Sequence, residues 1–242
     1  MSSQYYSTSL RHKKNAKITG IFYVLATVIS ISAVLLCSPL TFNNDDLIIS
    51  QAIIFQISLG ILADLLTVCS VAGTAIMLYP YIRRYKESLG VAYLGLRWFE
   101  ALTILAGVLP ILIFISMDEF RSVNFQPERF QFGKAIVKTI HDCTMIVGPN
   151  FLLGINTFIY SLVFFKTILV PKWLAVLGMS AAVLIFIASI LEIFNLIEQV
   201  SFIGALFAFP IFLYEMLLAY RLITKGFNLN STLIKEYNLS NK

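Results

Sequence analysis

Six mainly apolar runs, each about as long as a bilayer is thick, divide this sequence from end to end. They fall at 17–37, 50–79, 90–116, 139–165, 173–194 and 201–223. A helix needs roughly 20 such residues to cross the hydrocarbon core. Lipid offers no partner to an open backbone, so runs of this length predict an all-α polytopic membrane bundle of six transmembrane helices. Composition agrees: 58% of residues are hydrophobic and only 13% charged, where a soluble domain carries about 25% charged residues. The expected organisation is a basic tail over 1–16, a membrane domain over 17–223 and a second tail over 224–242. The second run is long enough to tilt or to project from the bilayer. There is no internal repeat and no low-complexity stretch.

The basic amino end followed by a hydrophobic run resembles a signal peptide. That run, Ile18 to Leu36, exceeds the roughly 7–15 residues of a signal core, and no small-residue cleavage site follows it. It is read as a retained first span.

Lysine and arginine set the orientation. Thirteen of them (Arg11, Lys13, Lys14, Lys17, Arg83, Arg84, Lys86, Lys166, Lys172, Arg221, Lys225, Lys235 and Lys242) share one side of a six-span chain. Four, Arg121, Arg129, Lys134 and Lys138, share the other. The positive-inside rule puts both termini in the cytoplasm of a plasma-membrane protein. The net charge of +5 therefore reads as loop asymmetry and not as a nucleic-acid surface. The 117–138 connection is expected to be an outer loop with aromatic anchors, or a lid at the interface.

Four ionisable residues lie deep within the runs: Asp64, Arg97, Glu100 and Glu215. Each costs about 2.5–3.5 kcal/mol to insert, so such groups face the bundle and pair. Arg97 and Glu100 are three apart and share a helix face; Asp64 and Glu215 are the expected receivers of that charged stripe. One arginine against three carboxylates leaves a formal excess of two negative charges. Protons, a cation or a cationic ligand must make up that deficit in a low-dielectric interior. A purely structural pin with one neutral acid is the competing reading.

A second, shallower group comprises His141, Asp142, Asn150 and Glu192, with Glu198 beyond it. Adjacent His141 and Asp142 diverge by about 100° on a helix, and interface residues reaching water are expected. The fourth run contains "VGPNFLLGIN", where Gly148, Pro149 and Gly154 predict a kink beside Asn150 and Asn156; broken helices mark binding sites in many transporters.

Three cysteines form no metal or disulfide framework. Cys69 is expected to be a buried small hydrophobe, and Cys37 and Cys143 both near the outer face leave a disulfide open. No metalloprotease, phosphate-loop or serine-hydrolase motif is present. A lone histidine near a span supplies neither paired haem ligands nor a triad. No metal and no cofactor is expected, the bilayer is the one expected partner, and oligomeric state is open.

"KNAKITGIFYVLA" in the first span, "LADLL" around Asp64, "LRWFEA" around Arg97 and Glu100, and "EMLLAYRLITKGFN" from Glu215 occur in that order. This series resembles the bacterial membrane family known as domain of unknown function 4386, over about residues 14–228. The resemblance implies a six- or seven-span membrane protein without an assigned activity and carries over Asp64, Arg97, Glu100 and Glu215. Three functional readings stand open: a binding site for a proton, cation or small ligand with a transport, sensing or resistance role; an intramembrane enzyme acting on a lipid or isoprenoid; and an accessory or immunity-type membrane protein.

Overall fold

Each apolar run satisfies its own amides as a helix. The computed structural model describes residues 2–41, 50–117 and 127–234. The elements are α1 (Ser2–Thr41), α2 (Gln51–Tyr85), α3 (Glu87–Ser116), α4 (Pro127–Met145), a π-helical stretch (Ile146–Leu152), α5 (Leu153–Thr167), α6 (Lys172–Ile193) and α7 (Phe202–Thr224). Helix α4, the π stretch and α5 run on as one segment, Glu128–Thr167, so six helical segments are long and apolar enough to cross a membrane. No strand occurs among the described residues.

The six segments close a ring: α2 packs on α1 and α3, α1 on α7, α7 on α6, and α6 on α5 and the π stretch, which in turn packs on α3. Alternating passes put the start of α1 and the end of α7 on one face, called here the terminal face. That face is sealed. Ala16, Leu78, Tyr81, Tyr93, Phe164, Leu169 and Leu218 form one core cluster there. The chain after α7 folds back onto it, with Phe227, Leu233 and Ile234 buried. The Asn228 amide donates to the Leu169 carbonyl at 2.9 Å, and Asn228 Nδ2 donates to the Ile168 carbonyl at 3.0 Å.

Four expectations change. The basic amino tail is no separate segment, because α1 is helical from Ser2 and buries His12 against the Tyr81 hydroxyl at 2.9 Å. The carboxyl tail is in part core. The 117–138 connection is helical from Pro127, a residue suited to a first helical turn; its Phe130 is buried, 5.3 Å from the Phe114 ring, and Phe132 is exposed. Residues 118–126, with Phe120 and Phe125, lie outside the described residues. Cys69 is exposed, not buried, and the buried Cys37 and exposed Cys143 are both free thiols.

A charged cavity above a tyrosine floor

The π stretch falls on the predicted kink. Pro149 has no amide hydrogen to give to the helix ladder, and one wide turn accommodates the loss. The turn brings Gly148 against α3: a side chain there would strike the Thr103 hydroxyl and touch the Glu100 carbonyl. It also buries Asn150, whose Nδ2 donates to Glu192 Oε2 on α6 at 2.7 Å.

One turn nearer the terminal face lies the charged layer. Arg97 and Glu100 are 1% and 2% exposed. Arg97 Nη1 sits between both carboxylate oxygens of Glu100, at 2.9 Å from Oε1 and 2.8 Å from Oε2. Its Nε donates to Thr74 Oγ1 on α2 at 3.2 Å. Asn156 Nδ2 on α5 donates to Glu100 Oε2 at 2.8 Å. The stripe is therefore closed by its own salt bridge and held by uncharged groups. Asp64 and Glu215, the expected receivers, do not bond to it.

Glu215 instead meets α1, where Thr27 Oγ1 lies 2.7 Å from its Oε2. The same hydroxyl lies 2.9 Å from the Tyr23 carbonyl. One hydroxyl proton cannot serve both at full strength. With Glu215 protonated, Glu215 donates to Thr27 and Thr27 to Tyr23; with Glu215 ionised, Thr27 must turn towards the carboxylate. Asp64, 5% exposed, makes no hydrogen bond or ion pair among the described residues.

Below this layer four buried tyrosines form a floor. Tyr160 stands at its centre, 6.0 Å from the rings of Tyr23 and Tyr93 and 6.1 Å from Tyr214. Tyr214 and Ser161 share a hydrogen bond at 2.9 Å. The hydroxyls of Tyr23, Tyr160 and Thr157 have no partner among the described residues, nor does Asn156 Oδ1.

Above it a cavity of about 1200 Å³ rises to the face opposite the termini. Asp64, Arg97, Glu100, His141, Asp142, Asn150, Glu192 and Glu215 all line it, so the deep and shallow groups predicted separately share one space. His141, expected to reach water, is buried, with Nδ1 3.7 Å from Asp142 Oδ1, so the two side chains approach each other although they leave α4 in different directions. Lys138 pairs with Asp142 at 2.6 Å. Once Arg97–Glu100 and Lys138–Asp142 are matched, the charged lining residues left are Asp64, Glu192, Glu198 and Glu215. All four are acids. No group of three metal-binding side chains occurs among the described residues.

Thr27, Thr74 and the four tyrosines were not among the expected site residues, and Asn156 was expected only as a neighbour of the kink. Uncharged polar residues in apolar helices read as packing; the signal available was the placing of Thr27, Thr74 and Asn156 near the depth of Arg97.

Six apolar helices around a charged cavity make this a multi-pass membrane protein. The family model described as Domain of unknown function (DUF4386) matches residues 18–226, and the chain belongs to that family. No curated protein and no solved structure matches the chain.

Proposed function

We propose that this protein binds an organic cation within the membrane, in the cavity between its six helices, and serves transport, sensing or resistance by that binding. The observation that carries the reading is the acid surplus of the lining after its two salt bridges are matched. A buried carboxylate must hold either a proton or a cation, and Asp64, Glu192 and Glu215 form no salt bridge among the described residues, although Arg97 and His141 share the lining. Asp64 and Glu215 are the primary anchors because neither is engaged by an amide, whereas Glu192 accepts from Asn150. The absence of a three-ligand cluster among the described residues favours an organic cation over a bare metal ion.

The thirteen-to-four split of basic residues supports cytoplasmic termini in the plasma membrane. In that orientation the cavity opens outward. The enzyme reading asks Arg97 to hold an anionic head group, and it is weaker because the guanidinium is already turned onto Glu100.

A thermal-shift series on the purified chain tests the proposal. A ligand that binds only the folded state raises stability by RT ln(1 + [L]/Kd). Tetramethylammonium and tetraethylammonium are expected to raise the melting temperature in a saturable way, and choline-sized neutral alcohols at equal concentration to leave it unchanged. A melting temperature indifferent to every cation would reject the reading.

A further inference from the structure

Resting on that cation reading, we infer that the ligand is a single-chain amphiphile with an ammonium head, taken from the bilayer through a lateral gap between α1 and α7. These helices touch closely towards the terminal face. Gly20 lies so near Ala219, Leu222 and Ile223 that a side chain there would collide with them. The next crossing is the Thr27–Glu215 bond. Beyond it α1 leans on α2, where Cys37 lies against Gly60 and the Leu36 carbonyl accepts from Gln56 Nε2 at 3.2 Å. From there outward, Ile31 and Val34 on α1 and Ala205, Phe209 and Phe212 on α7 line the cavity from its two sides. They are also open at the surface, with Ile31 47% and Phe209 58% exposed.

Residues 205, 209 and 212 follow the helical spacing of one face that ends at Glu215. An apolar wall that an acyl chain can cover thus leads to a carboxylate that a cation can neutralise. Apolar surface beside lipid is ordinary in a membrane protein. What marks this seam is that its apolar stripe descends to unpaired acid within the hydrocarbon depth, the arrangement that suits a ligand apolar at one end and cationic at the other.

The test uses the full chain in lipid nanodiscs, with thermal stability as the readout. Octyltrimethylammonium, after correction for its partition into protein-free discs, should stabilise the protein at about tenfold lower concentration than tetramethylammonium. Octyl sulfate should not stabilise it. Ala205→Trp and Val34→Trp, which fill the gap from opposite walls at exposed positions, should each remove the octyl advantage and leave the tetramethylammonium response intact. That intact response also shows that each variant is folded. Equal potency of the two cations after correction would overturn the inference, as would an octyl advantage that survives both tryptophans; in either case the cation site itself still stands. If neither cation acts on the unaltered chain, both the site and its amphiphile fall together.

Discussion

Thr27 on α1 and Glu215 on α7, 188 residues apart in sequence, meet at 2.7 Å inside the bundle. This bond ties the first and last spans at the depth where the Arg97–Glu100 pair ties α3 to α2 and α5. One layer thus holds two kinds of acid. Glu100 is matched by a cation. Glu215 makes no salt bridge and bonds to the Thr27 hydroxyl.

Stability should separate these two acids. Arg97→Ala leaves Glu100 buried without its cation, a loss of about 3–5 kcal/mol. Glu215→Gln keeps an oxygen for Thr27 to bond and removes only charge, so its melting temperature should match that of the unaltered protein. Thermal unfolding of both variants in detergent checks this. A Glu215→Gln protein that melts as early as Arg97→Ala would make Glu215 part of the structural pin.

The tyrosine floor offers a second contrast. Tyr160→Phe removes a buried hydroxyl that makes no well-formed hydrogen bond among the described residues and should leave stability unchanged or raise it by up to about 1 kcal/mol. Tyr214→Phe breaks the bond to Ser161 and leaves that hydroxyl orphaned, a loss of about 1 kcal/mol or more. Equal losses in denaturation midpoints would mean that Tyr160 is bonded as firmly as Tyr214.

Much of the fold could be read from the chain. Run length and the breaks between runs predict all six spans, and two charges three positions apart on an apolar background expose the Arg97–Glu100 stripe. Helix faces were another matter. A span is apolar towards lipid and towards its neighbours alike, so the periodicity that reveals a core face in a soluble helix is nearly erased. Hence Cys69 was expected to be buried and turns outward to the surface. The partners chosen by Arg97 were hidden for a related reason: Thr74 and Asn156 carry no charge, whereas Asp64 and Glu215 carry the charge that made them the expected receivers. The return of residues 227–234 to the core has no signal beyond four apolar residues, Phe227, Leu229, Leu233 and Ile234, in a tail.

Orientation is tested by labelling. In a chain whose three native cysteines are replaced by alanine, Gln199→Cys at the cavity mouth should react with a membrane-impermeant maleimide on intact cells. Lys86→Cys between α2 and α3 should react only after lysis. The reverse pattern would place the termini outside and open the cavity to the cytoplasm.

Acidity should oppose the ligand. On the proposed reading, protons compete with an organic cation for Asp64, Glu192 and Glu215, with the Arg97–Glu100 and Lys138–Asp142 pairs and His141 on the same walls. Cation binding should therefore weaken steadily as the solution is taken from about pH 8 to about pH 5, measured by titration of tetraethylammonium at each pH. Tetraethylammonium binding that stays constant or strengthens on acidification would mean that these carboxylates do not hold the cation.

The most direct measurement is the affinity for tetraethylammonium of the unaltered protein, of Glu215→Gln and of the double variant Asp64→Asn with Glu215→Gln, by calorimetric titration of folded, monodisperse samples. Saturable binding is expected in the first, weakening of about tenfold or more in the second, and no measurable binding in the third. Affinities equal across all three would contradict a cation site built on these carboxylates.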